Sequence, residues 1–274
     1  LNNSSYDYVT WAWKAGGSKN TFNIDGEGYA TAAAAGLDGG SLDPSGASVN
    51  TKSKFGIYTW AGHGSSNETL AHGLGAQPDF MICKKKSTGG NSWVVWHKSI
   101  ATTEYLILND EGAKATDATL FNSHTNDSDN LWSLGTNTSI SDTGQTAVAY
   151  LWCDVPGLQK FGSYSGNGST DGPVIELGFR PRFLIVKNVT DSSRRWVMID
   201  TKRYPINGPQ TPVVWADYST AESTTAENQI DILANGFKWR YNNGNVNADG
   251  KTYAYMAWAE APAFNMYGAS SNAH

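Results

Sequence analysis

The sequence predicts an all-β protein: tandem antiparallel β-sandwiches, jelly-roll or concanavalin-like, arranged as two homologous repeats. Three observations predict it. The 274 residues include 29 Gly, 11 Trp and 13 Tyr with only 16% charged side chains, a mixture that suits short strands, tight turns and aromatic packing. No segment sustains a helical apolar period; the nearest, 32–35 (stopped by Gly36) and 220–228, allow one or two turns at most. The chain also resembles itself, and a repeat dictates architecture before any local reading.

Phe55-Gly56-Ile57-Tyr58 recurs as Phe161-Gly162-Ser163-Tyr164. Leu74-Gly75-Ala76-Gln77-Pro78-Asp79-Phe80-Met81-Ile82-Cys83-Lys84 recurs as Leu177-Gly178-Phe179-Arg180-Pro181-Arg182-Phe183-Leu184-Ile185-Val186-Lys187, and Trp93-Val94 as Trp196-Val197. Gly144, Thr146, Trp152 and Pro156 correspond to Gly250, Thr252, Trp258 and Pro262. The offset is 106 residues at both ends and 103 in the middle, so loop insertions and deletions cancel.

The elements follow in order. Residues 1–17 contain Tyr6-Asp7-Tyr8-Val9-Thr10-Trp11-Ala12, which matches Tyr253-Ala254-Tyr255-Met256-Ala257-Trp258-Ala259 and reads as the terminal strand of an upstream partial repeat. An apolar strand with unpaired backbone should not hang free, so this one is expected to be paired with the first sandwich, a neighbouring subunit or an upstream part of the polypeptide. Residues 18–52 are a connector rich in Gly, Ala, Ser and Asp, expected to lie across a domain surface through Phe22, Ile24, Tyr29 and Leu37. The repeats span 53–157 and 158–264, each the size of a small sandwich, and 265–274 is a C-terminal tail. Strands are expected at 80–84, 93–96, 145–152, 183–187 and 251–258, with turns at Ser87-Thr88-Gly89-Gly90-Asn91 and Asn242-Asn243-Gly244-Asn245.

A formal charge of −5 argues against a phosphate-binding surface and a nucleic-acid partner. No apolar run reaches 18 residues, so no membrane insertion is expected. Cys83 and Cys153 stand where the other repeat has Val186 and Ala259, so both are expected to be buried free thiols. None of the five His pairs at i, i+4, and the sequence carries no G-x-S-x-G elbow or dinucleotide glycine fingerprint. Neither a metal nor a cofactor is expected, no catalytic residue is assigned, and the chain is read as not an enzyme. Asp127-Ser128-Asp129 offers oxygens to Ca²⁺ but precedes the strand at Leu131, where the second repeat has Asn235-Gly236, and reads as a turn. Asp200 stands where the first repeat has His97 and reads as a polar strand end rather than a glycosidase carboxylate.

Sugar-binding sites stack CH faces on Trp or Tyr while polar groups take the hydroxyls. Trp152, Trp258 and Trp11 share one repeat position and are assigned to the core. Trp60 with His63, Trp132, Trp215 with Tyr218, and Trp239 with Tyr241 lie in or beside polar turns. The leading ligand-binding candidates are Trp60, His63, Trp239 and Tyr241. Lys84-Lys85-Lys86 and Arg194-Arg195 flank the same hairpin in the two repeats and are expected to decorate exposed turns, with an anionic glycan as an alternative role.

Tyr8-Val9-Thr10-Trp11-Ala12-Trp13-Lys14-Ala15-Gly16-Gly17, Phe22-Asn23-Ile24-Asp25-Gly26-Glu27-Gly28-Tyr29-Ala30, Gly178-Phe179-Arg180-Pro181-Arg182-Phe183 and Asn265-Met266-Tyr267-Gly268-Ala269-Ser270-Ser271-Asn272-Ala273 resemble a family of repeat-containing virion proteins of marine tailed bacteriophages, of cyanophage and pelagiphage type. His274 departs from the resemblance, which leads one to expect Arg there. It implies a structural and adhesive virion component, a tail fibre or other appendage on the particle surface. The implied partners are further copies of the chain, other virion proteins and host surface polysaccharide. The alternatives are a glycan-active depolymerase on a β scaffold and a non-binding head or neck decoration.

Overall fold

The structure is a computed structural model that describes residues 5, 7–86, 91–204 and 207–261; the expected tail at 265–274 lies outside them. In the first half, Thr146–Trp152 occupies the middle of a nine-stranded sheet. It pairs antiparallel with Phe55–Ala61 (Phe55↔Trp152) and with Phe80–Lys85 (Phe80↔Trp152, Cys83↔Ala149). In the second half, Thr252–Ala259 sits likewise between Gln159–Ser165 and Pro181–Asn188 in a six-stranded sheet. There Phe183 pairs with Trp258 and Val186 with Tyr255. The next strands are Val94–His97 and Val197–Asp200, with Phe80↔His97 and Phe183↔Asp200 at matching places.

A small antiparallel sheet covers one face of each large one. Glu68–Ala71 pairs with Leu131–Leu134 over the first, and Gly236–Trp239, flanked by Val174–Glu176 and Ile230–Leu233, lies over the second. Side chains alternate between the faces of a strand, so each middle strand serves two cores. Tyr253, Tyr255 and Ala257 point to the small sheet, while Ala254, Met256 and Trp258 point the other way.

That other face does not meet solvent. Phe55, Phe80, Val95, Leu106 and Trp152 of the first half pack with Phe161, Phe183, Ile185, Met256 and Trp258 of the second in one buried cluster. The order of layers is therefore small sheet, large sheet, large sheet, small sheet. The all-β sandwich architecture expected from the sequence is what the structure has, and it adds one thing: each half has its own core, and a third core joins them. Burial on both faces explains why Tyr253-Ala254-Tyr255-Met256-Ala257-Trp258 reads as a nearly unbroken apolar run, all six residues being buried.

The third core is a column of rings. Phe55 stacks on Trp152 (4.8 Å), Trp152 on Phe80 (5.1 Å) and Phe80 on Phe161 across the seam (5.5 Å). Phe161 meets Trp258 edge-on (5.7 Å), and Trp258 stacks on Phe183 (5.5 Å). Such pairs add about 0.5–1.5 kcal/mol each beyond the area they bury.

Two expectations are corrected. Residues 18–52 do not merely cross a surface: Phe22–Ile24, Glu27–Tyr29 and Gly46–Asn50 extend the nine-stranded sheet beside Phe55–Ala61, and Leu37 and Val49 are in the first core. Residues 7–13 form no strand, so the expected terminal strand is absent; Tyr6 lies outside the described residues. The short helical turns were legible: Ala33–Ala35 is a 3₁₀ turn closed by Gly36 at φ 68°, where an L side chain would be strained.

The match of Phe55-Gly56-Ile57-Tyr58 to Phe161-Gly162-Ser163-Tyr164 is not the spatial one. Trp152 pairs with Phe55, whereas Trp258 pairs with Gln159, a slip of two that leaves each side chain on its original face. Tyr58 sits opposite Ala149, and Tyr255 opposite Gly162. One strand supplies the ring and the other leaves it room: a Cβ on Gly162 would stand 2.6 Å from the Tyr255 hydroxyl.

Two buried histidines are held alike. Leu74 N–H donates to His72 Nδ1 (3.1 Å) and Ser99 N–H to His97 Nδ1 (3.1 Å), which leaves the ring proton on Nε2. His72 Nε2 donates to Ser128 O (3.3 Å), and His97 Nε2 to Tyr255 O across the seam (3.2 Å). Burial pushes their pKa values down to about 4 and about 3. Unfolding therefore takes up protons between the ordinary histidine value near 6.5 and these depressed values, and stability falls as pH drops through that window. Denaturant unfolding at pH 7 and pH 5 should differ by on the order of 2 kcal/mol per histidine. His97→Gln should flatten that dependence, whereas an unchanged slope would show that His97 titrates normally.

Candidate functional site

The residues expected to bind a ligand do not converge. Trp60 and Trp239 are both 0% exposed and lie in different cores. Trp60 meets Trp132 edge-on at 5.2 Å and Trp239 meets Phe237 at 6.0 Å. Their assignment as ligand-binding residues is corrected: Trp60, on the large-sheet strand Phe55–Ala61, and Trp239, on the small-sheet strand Gly236–Trp239, both face the core between large and small sheet, on strand faces that the neighbouring polar turns disguised. His63 is exposed, with Nδ1 3.1 Å from Glu68 Oε1, and Tyr241 is half-buried in the turn after Gly236–Trp239. Trp215 is half-buried against the second core, and Tyr218 is exposed with the Arg195 guanidinium 3.5 Å from its ring centre.

The basic clusters are only in part surface decoration: Lys86 is exposed and Arg194 and Arg195 are half-buried, whereas Lys84, Lys85 and the nearby Lys187 are engaged by the protein itself. Lys84 donates to Asn91 O with its ammonium 5.8 Å from the Trp93 ring; Lys187 donates to Arg194 O with its ammonium 5.7 Å from the Trp196 ring. Lys187 is wholly buried, and burial lowers its pKa to about 8. Lys85 is buried and pairs with Asp142 at 2.9 Å. Lys84 and Lys187 each close a hairpin and Lys85 is neutralised by Asp142, so these three cations have little left to offer a ligand.

Asp127 and Asp200 are also engaged. Asp127 Oδ1 accepts Ser133 N–H (2.7 Å), and Oδ2 accepts from His124 Nδ1 (2.7 Å). Asp200 Oδ1 accepts the N–H groups of Lys202 and Arg203, and Oδ2 accepts Arg203 Nε (2.6 Å), which makes it a turn cap at the strand end. Among the described residues, no group of three or more His, Cys, Asp or Glu side chains is placed to hold a metal ion. No helix there is long and apolar enough to cross a membrane.

A concave feature of the fold lies at one end of the seam. Residues 7–15 run there without sheet pairing. Their path is pinned by Asn50 Nδ2 donating to Lys14 O (3.1 Å), Ser48 Oγ to Gly17 O (2.8 Å) and Gly26 N–H to Gly16 O (2.5 Å). Gly16 is required: a Cβ would stand 2.3 Å from Val49 O and 2.4 Å from Asn23 O. From this anchor Trp13 reaches Trp152 of one half (6.0 Å) and Trp258 of the other (5.1 Å), while Trp11 stacks on Phe183 (4.6 Å).

Between this segment and the sheet ends is a cleft of ≈ 420 Å³. Trp11, Trp13, Phe55, Phe183 and Trp258 supply its apolar surface, and Lys14, Ser53, Gln159 and Arg182 its polar one. Gln159 is a structural tie, its Nε2 donating to Ser53 O (2.8 Å) and Cys153 O (2.7 Å). Arg182 lies 3.7 Å from Glu260, which Arg180 already holds at 2.8 Å. The aromatic and polar lining can stack flat apolar faces and hydrogen-bond an oxygen-rich ligand, and no nucleophile with an adjacent base is part of it. Sequence reasoning assigned Trp11 to the core and overlooked the cleft; the adjacent aromatics at 11 and 13 were the one available signal.

Both cysteines are free and buried, as expected. Burial raises both thiol pKa values, that of Cys153 up to about 12, and Cys153 Sγ donates to Ala76 O. A thiol reagent at pH 8 should leave the native protein untouched and titrate two thiols after denaturation without reductant; finding none would contradict the pairing state. Trp60→Ala and Trp239→Ala should each cost about 3–5 kcal/mol in denaturant unfolding, the range for deleting a buried ring.

The chain matches no curated protein and no solved structure. Residues 1–262 match the DUF7483 family, described as a domain of unknown function. With nearly the whole chain inside that match, the protein belongs to the DUF7483 family.

Proposed function

We propose that this chain is a structural and adhesive component of a bacteriophage virion, a tail fibre or other appendage that contacts host surface glycans. The observation that carries the reading is the aromatic cleft at the seam of a four-layer β body. Sugars bind through CH faces laid on rings and through hydroxyls met by polar groups, and the cleft combines both kinds of surface. A body whose halves share a core resists shear and proteolysis better than beads on a linker, because opening either half exposes the common apolar face. The resemblance of residues 8–17, 22–30 and 178–183 to virion proteins of marine phages supports the same reading. Symmetric assembly of several copies would multiply weak glycan contacts, so a homo-oligomer among other virion proteins is the expected setting.

Gold-labelled antibody to the chain, applied to intact particles, should decorate an appendage in electron micrographs. Particles that carry no label, with the protein found only in lysate, would contradict the proposal. Host surface polysaccharide incubated with the protein should keep its chain length; shortening would assign a depolymerase instead.

A further inference from the structure

The cleft differs in charge from the protein that holds it. The chain as a whole is acidic, at −5, yet the cleft lining contains Lys14 and Arg182 and no carboxylate. Lys14 is exposed and has no ion-pair partner among the described residues. Arg182 shares its nearest carboxylate, Glu260, with Arg180, so two guanidinium groups face one acid. Beyond Trp11, the Arg203 guanidinium is already met by Asp200 and Glu222. The cleft thus joins aromatic rings to cations that the protein's own acids leave under-neutralised.

A neutral sugar needs the rings and some hydroxyl partners; it gains nothing from uncompensated cations. An acidic sugar uses both, since a carboxylate or sulfate forms charge-assisted hydrogen bonds with Arg and Lys while the ring faces stack. The site is also open to solvent along the exposed residues Ala12 and Lys14, which suits a chain passing through rather than a small molecule enclosed.

We propose that this cleft binds a segment of acidic polysaccharide, with sugar faces against Trp11 and Trp13 and its carboxylates or sulfates against Lys14 and Arg182. The assignment rests on the adhesive reading above and narrows its ligand to a polyanionic glycan. Cations on the cleft rim make binding salt-dependent, and the aromatic contribution persists when salt is raised.

Isothermal titration of the full chain with a purified uronic-acid hexasaccharide, a sulfated hexasaccharide and maltohexaose tests it. At least one acidic oligosaccharide should bind, with affinity falling as NaCl rises from 50 to 300 mM, and maltohexaose should bind at least ten-fold more weakly. A Lys14→Ala/Arg182→Ala double variant should lose ten-fold or more in affinity with an unchanged melting temperature. Should that variant melt early, Lys14→Glu, at an exposed position, gives the same readout alone. The inference is overturned by absence of heat with both acidic probes at millimolar concentration, by equal binding of maltohexaose, or by unchanged affinity in the charge variants. Self-association through the cleft, seen by sedimentation velocity and lost in Trp11→Ala, would assign the cleft to a second copy and also overturn it. Particle labelling is independent of these outcomes: label on the virion without glycan binding fails this inference alone, and glycan binding without label fails the adhesive reading alone.

Discussion

The interaction on which the rest of the structure depends is the stack of rings that passes from Phe55 through Trp152, Phe80 and Phe161 to Trp258 and Phe183. Each large sheet has two apolar faces, and its small sheet covers only one. Left apart, each half would expose a face bearing several aromatic side chains, a patch that a monomeric protein rarely tolerates. Packing the two faces together removes both patches at once. The seam is also tied by polar contacts that depend on its being closed: Trp196 Nε1 donates to Ile107 O (2.9 Å), His97 Nε2 to Tyr255 O and Lys114 N–H to Val189 O.

The seam also fixes where a ligand can bind. Two sheets packed face to face leave a step where their strand ends fail to coincide, and residues 7–15 run along it. Trp13 touches a tryptophan from each half, so its position is set by the seam and it closes one end of the ring column. Without strand pairing of its own, this segment keeps Lys14 and Ala12 toward solvent while Trp11, Trp13 and Ala15 rest on the core. The cleft is a by-product of joining two sandwiches, and each half alone has only one of its walls.

Much of this was legible in the sequence. The apolar runs expected at 80–84, 93–96, 145–152 and 251–258 appear as Phe80–Lys85, Val94–His97, Thr146–Trp152 and Thr252–Ala259, because buried β-branched and aromatic runs between turn residues have few other places to go. Three things were not. Strands as short as Phe22–Ile24 and Glu27–Tyr29 carry too few residues for a period to show, so an integral part of the first sheet read as a connector. Trp60 and Trp239 sit near polar turns, and proximity in sequence says nothing about which face of a strand a side chain occupies. The likeness of residues 6–12 to residues 253–259 did not carry over to structure at the described positions: the alternation of aromatics that fills two cores in the middle of a sheet serves, at residues 7–13, to place tryptophans along an edge. The basic residues show the same point, since Lys84 and Lys187 became hairpin clasps over Trp93 and Trp196 only once each hairpin had folded back.

If the two halves are one body, they must unfold together. Differential scanning calorimetry of the wild-type chain and of Phe161→Ala, which removes the ring that crosses the seam, measures this directly. The shared core predicts a single endotherm in the wild type, with calorimetric and van't Hoff enthalpies equal, and a variant whose whole transition moves to lower temperature. Two resolved transitions in the wild type, with the substitution shifting only the one that belongs to residues 158–261, would contradict it.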